Sequence, residues 1–101
     1  MDPLVKIIYS GHNEIMLEGE LTFLTVMKLY SESQKQFSLD VLSIKIDFQR
    51  IKRVDSSVLS LLIEWKRLAK KRGSSVQFIH VPEAILRLAS LSQVEQMLFD
   101  S

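Results

Sequence analysis

The sequence predicts a single α/β domain: a four-stranded mixed sheet with an N-terminal β-hairpin and crossover helices packed against it. Three observations lead there. Two short apolar runs, Leu4 to Tyr9 and Glu14 to Leu17, are joined by the turn-rich Ser10-Gly11-His12-Asn13, the pattern of an antiparallel hairpin. Ser43 to Phe48 alternates strictly, with Ile44, Ile46 and Phe48 on one face and Lys45 and Asp47 on the other, which is strand periodicity. The later strands are separated by single helix-length segments, and such units connect by right-handed crossovers into parallel neighbours. At 101 residues the chain is expected to be one domain over residues 1–101.

Each element has a local reason. After the hairpin, Gly19 interrupts the pattern before Glu20-Leu21-Thr22. From Phe23 to Gln36 apolar residues fall at Phe23, Val26, Met27 and Tyr30, with Leu24 and Leu29 beside them; that is helical spacing, with Thr22 as the cap. Asp55-Ser56-Ser57 opens a second helix that runs to about Arg72 and ends at Gly73. Val76 to His80 is the next strand. Pro82 at a first helical position, with Glu83 in the first turn, opens a helix through Ile85, Leu88 and Ala89. The tail from Ser92 to Ser101 reads as a further short helix or an edge strand.

Composition excludes several function classes. A formal net charge of +1 argues against a chain built mainly to bind nucleic acid or anionic lipid. There is no cysteine, hence no disulfide framework and no thiolate metal site. The start, MDPLVKIIYSG, has too short an apolar run for a signal peptide, and the longest apolar run falls far below the ~20 residues of a membrane span. The expectation is a soluble cytoplasmic domain whose membrane role, if any, goes through a partner.

The stretch RVDSSVLSLL, Arg53 to Leu62, places a carboxylate and two hydroxyls before an apolar run. Asp55 or Ser56 there is what helix capping needs. Ser56 as a nucleophile would require a base in reach, and nothing in the spacing ties His12 or His80 to it. Gly11, Gly19 and Gly73 are scattered, so no phosphate-cradling loop forms. Asp47 with Asp55, or Glu14, Glu18 and Glu20, read as solvated residues and not as metal ligands. No catalysis, metal or cofactor is expected.

On a helical wheel, Val58, Leu61, Leu62, Trp65, Leu68 and Ala69 share the arc that faces the sheet. Leu59 and Ile63 fall outside it, among Ser56, Lys66, Arg67 and Lys70. Two large apolar residues in a serine-and-cation face predict a protein-binding surface, unless a neighbouring helix covers them. The run Lys66 to Arg72 reads as a solvated face, its cations favourable near the helix C-terminus.

Three segments, in order, carry a family resemblance: Leu17-Glu18-Gly19-Glu20-Leu21-Thr22, Val54-Asp55-Ser56-Ser57, and Gly73 followed by the strand to His80 and Val81-Pro82-Glu83-Ala84 through Leu91-Ser92. Together they resemble a STAS domain, the family of bacterial anti-sigma factor antagonists and related modules, and imply the STAS fold. LEGELT and RVDSSVLSLLIEW are most similar to the branch that serves phospholipid-moving ABC transporters of Gram-negative bacteria. That resemblance implies a non-catalytic subunit held at the inner face of the inner membrane by its partner, an ABC transporter ATPase. It makes Arg53, Asp55, Ser56, Ser57, Leu59, Ser60, Ile63 and Arg67 the expected partner-binding residues. The family's functional hydroxyl falls on Ser56, so the alternative is an anti-sigma factor antagonist switched by phosphorylation of Ser56. Val58 stands where the family usually has glycine; a β-branched side chain there is expected to hinder close approach and to favour a static interface over a switch.

Overall fold

A computed structural model describes residues 4–11, 13–34 and 43–99; His12, the predicted helix end at Gln36 and the tail beyond Phe99 lie outside them. Strands β1 (Val5–Gly11) and β2 (Glu14–Leu21) form the expected antiparallel hairpin. β2 is longer than predicted, because it runs through Gly19 instead of stopping before it. Helix α1 (Val26–Ser33) follows, then β3 (Ser43–Val54), α2 (Ser57–Lys71), β4 (Ser75–Ile79), α3 (Glu83–Leu91) and α4 (Glu95–Phe99). The sheet order is β1-β2-β3-β4, with β2, β3 and β4 parallel. This is the predicted four-stranded mixed sheet, and the described part of the tail forms the short helix α4.

β3 is twice the predicted length. Its pairing with β2 slips by one residue between Met16 and Glu18 and again between Gly19 and Glu20, so β3 carries two extra residues. Each bulge breaks the two-residue alternation. After Phe48 the inward residues are therefore Ile51 and Val54, three apart, both packed against the core. Asp47 Oδ1 accepts the Gln49 N–H at 2.8 Å beside the first bulge.

One core joins sheet and helices. Ile15, Leu17, Ile44, Ile46, Phe48 and Val76 come from the strands, and Val58, Leu61, Leu62, Trp65, Leu68 and Ala69 from α2. The α2 stripe is the one its wheel predicts. Trp65 and Ser33 are both fully buried, and the indole Nε1–H donates to Ser33 Oγ at 2.6 Å, which donates on to the Tyr30 carbonyl at 2.8 Å. A buried indole N–H needs such a partner. α2 ends as predicted: Gly73 has φ 71°, its N–H reaches the Lys70 carbonyl and the Ser74 N–H reaches that of Ala69 at 2.8 Å, a Schellman cap.

Two expectations need correction. Pro82 occupies the N-cap of α3 and not its first helical position. Asp47, read as solvated, is 6% exposed; His80 Nδ1 lies 3.0 Å from its Oδ1, and His80 holds φ 53° just after β4.

Candidate docking surface

Because β2 and β3 are parallel, the turns that leave them lie side by side at one end of the sheet, where open α/β sheets place their sites. Leu21 pairs with Val54, and the Asp55 N–H donates to the Leu21 carbonyl at 3.1 Å. Asp55 then ties both turns together. Its Oδ1 accepts the Ser57 N–H at 2.8 Å and its Oδ2 accepts the Phe23 N–H at 3.2 Å. The capping carboxylate is thus Asp55. Ser56 occupies the N-cap position, makes no side-chain capping bond and is exposed.

Burial pushes the Asp55 carboxyl up, but the N–H groups of Ser57 and Phe23, the Ser57 hydroxyl and the Arg53 charge outweigh it and hold it below its ordinary value of 3.8. A depressed carboxylate contributes stability that is complete above its unfolded pKa and is lost as pH falls through the lower folded value. Urea midpoints measured against pH should therefore show a wild-type advantage over Asp55→Asn that is constant near neutrality and shrinks once pH drops below 3.8. An advantage that persists unchanged in acid would remove this role for Asp55.

The turn from β2 to α1, Thr22-Phe23-Leu24-Thr25, inverts the usual partition. Thr22 and Thr25 are buried, while Phe23 and Leu24 are 69% and 68% exposed. The threonines turn inward because their hydroxyls serve the backbone. Thr25 Oγ1 donates to the Glu20 carbonyl at 2.8 Å and accepts the Thr22 N–H at 3.0 Å; Thr22 Oγ1 accepts the Leu24 N–H at 3.3 Å. Thr22 thus caps the turn that leads into the helix, its carbonyl accepting the Val26 N–H at 3.0 Å, while regular α1 begins at Val26 with Thr25 in its N-cap position, later than predicted. Met27, one residue into the helix, is 77% exposed.

The partner-binding residues expected from sequence divide into two sets. Ser56, Ser60 and Arg67 are exposed and, with Glu64, follow one stripe of α2. That stripe borders α1 through a small apolar hollow lined by Met27, Tyr30, Ser60 and Glu64, and then a cleft that includes Tyr30, Gln34, Arg67 and Arg72. Arg67 is drawn to Glu64 at 3.1 Å. Arg53 is exposed at the end of β3, while Asp55 and Ser57 are half-buried. Leu59 is not on this surface: it is 8% exposed and belongs to the core, and Ile63 is half-buried against the same core. The apolar part of the surface comes instead from Phe23, Leu24 and Met27, which helical spacing alone had assigned to a helix. Val58 is fully buried, so its side chain does not stand in front of Ser56. Among the described residues no cluster of His, Cys, Asp or Glu could hold a metal ion, and no helix is long and apolar enough to cross a membrane.

Residues 10–99 match the family model described as "Mlab, STAS domain". The chain belongs to the STAS family. Among curated proteins, none matches it. Among solved structures this STAS domain is similar to the anti-sigma factor antagonist SpoIIAA in its unphosphorylated form, with a TM-score of 0.70 at 15% identity over 89% of this chain and 81% of that one. It is also similar to the Bacillus cell fate determinant SpoIIAA in the phosphorylated form, with a TM-score of 0.65 at 16% identity over 96% and 90%. At such identities the likeness is one of fold: the SpoIIAA-like STAS architecture.

Proposed function

We propose that this STAS domain is a non-catalytic, MlaB-like accessory subunit of an ABC-type phospholipid transporter. It docks on the transporter's ATPase, an MlaF-like protein, through the Asp55-Ser56-Ser57 loop, the exposed stripe of α2 and the Thr22–Thr25 turn. Through that ATPase it joins the permease complex at the cytoplasmic face of the inner membrane and supports assembly and activity in outer-membrane lipid asymmetry. The observation that carries the reading is the apolar group Phe23, Leu24 and Met27, exposed beside an exposed Ser56. Large apolar side chains grouped on a surface and rimmed by polar residues suit a protein partner. The matching family description, which names Mlab, supports this choice of branch.

Co-expression with the cognate ATPase should yield a stable complex. Ser56→Arg and Leu24→Asp should each weaken it by more than about tenfold while the melting temperature stays within about 4 °C of wild type. A complex indifferent to both substitutions rules out this surface.

The exposed Ser56 also supports a second reading, an anti-sigma factor antagonist switched by phosphorylation. Phosphate there would add about −1.5 to −2 charges at a helix N-terminus, and buried Val58 leaves the approach open. Intact-mass analysis after incubation with a cognate kinase and ATP decides it: no added phosphate on Ser56 ends this reading.

A further inference from the structure

Lys66 reaches from α2 to the outer strand β4. Its Nζ donates to the Val76 carbonyl oxygen at 2.8 Å and lies 5.2 Å from the centroid of the Phe78 ring. An ammonium has three donors, and among the described residues no carboxylate pairs with this one. Burial holds it below its ordinary pKa range, since a cation taken from water and only partly compensated is costly to keep charged. Beside it opens a cleft of about 460 Å³, lined by Lys66, Ser75, Gln77, Phe78, Leu98 and Phe99 among others. Its size falls within the range of small-molecule sites. The two rings meet edge to face, with centroids 6.2 Å apart.

We propose that this cleft binds a small anion, a carboxylate or a phosphate monoester on a ring-sized apolar body. Lys66 pairs with the charge through its remaining donors, Phe78 and Phe99 take the body, and Ser75 and Gln77 stand at the rim. Charge complementarity selects this occupant: a neutral ligand would leave the ammonium as it is, and a cation would be repelled. The site is separate from the docking surface, because its other lining residues come from β4 and α4, whereas the docking stripe of α2 borders α1. A simpler role exists for Lys66, in which it blunts the free edge of β4 by occupying a strand carbonyl. That role uses one donor and gives no anion preference.

The test is an NMR titration of the ¹⁵N-labelled full chain with phenyl phosphate, phenylacetate and neutral 2-phenylethanol. Saturating shifts are expected at Lys66, Val76, Phe78, Leu98 and Phe99 with at least one of the anions, and the tighter of the two identifies the charged group. The alcohol should bind about tenfold more weakly or worse, and so should either anion to Lys66→Met, whose spectrum elsewhere keeps the wild-type dispersion. Equal binding of alcohol and anions, wild-type binding by Lys66→Met, or no saturable shift at those residues would overturn the proposal. Binding that appears only after removal of Asp100 and Ser101 would also overturn it, by making the chain's own carboxylates the occupant.

Discussion

Gly19→Ala is expected to destabilise the domain by about 3 kcal/mol, a fall of roughly 15 °C in melting temperature. Gly19 sits inside β2, paired with Val5 on one side and Ile51 on the other, yet its φ is +120°. L-residues rarely adopt that region. An added Cβ would also press on the Leu4 carbonyl oxygen and come within 2.9 Å of Val5 Cα. Neither contact is with a flexible side-chain end. The Leu4 carbonyl is held in place because it accepts the Glu20 N–H at 2.8 Å, so relief would mean prising β1 from β2. Gly73→Ala is the matched comparison. Its φ is also positive, at 71°, but nothing lies within 4 Å of an added Cβ, and it should cost only about 1 kcal/mol. Thermal or urea unfolding of the two variants separates backbone strain from collision. Equal losses at both positions would mean that the Leu4 contact contributes nothing.

The elements that were legible in the sequence are those whose pattern has one period. Ile44, Ile46 and Phe48 alternate, and the α2 stripe from Val58 to Ala69 follows the helical repeat; each lies in the core where its period puts it. What escaped was encoded by interruptions. Gln49 to Val54 carries its apolar residues three apart because two bulges rotate the chain, and no strand template contains that spacing. Phe23 and Leu24 fit a helical pattern, and only the hydrogen bonds of Thr22 and Thr25 turn them outward. The pairing of Trp65 with Ser33, 32 positions away, depends on how α1 lies against α2. In the candidate site the motif itself was visible at Asp55 and Ser56. The side of α2 that accompanies it was not, because a wheel gives the angle of Leu59 and Ile63 without saying what lies across from them.

Leu59→Asp is expected to unfold the domain, and it shows why the docking surface has to be placed on the Ser60 side of α2. Truncating a buried leucine to alanine costs about 2–5 kcal/mol, and an unpaired carboxylate in its place adds desolvation to that loss. Position 59 is the third residue of α2, with Ser56 as N-cap, where an acidic side chain gains about 0.3–1 kcal/mol from the helix dipole. That gain is too small to offset the burial term. The net loss of about 4 kcal/mol or more is a large part of the 5–15 kcal/mol that stabilises an ordinary domain. Leu59→Asp and Leu24→Asp should therefore both abolish recovery of the ATPase complex, for different reasons. Leu59→Asp should lose its cooperative thermal transition or shift it far down, whereas Leu24→Asp should melt like wild type. Circular dichroism melts of the two purified variants make the distinction. A Leu59→Asp protein that melts normally and yet fails to bind would put Leu59 back on the interface and overturn its assignment to the core.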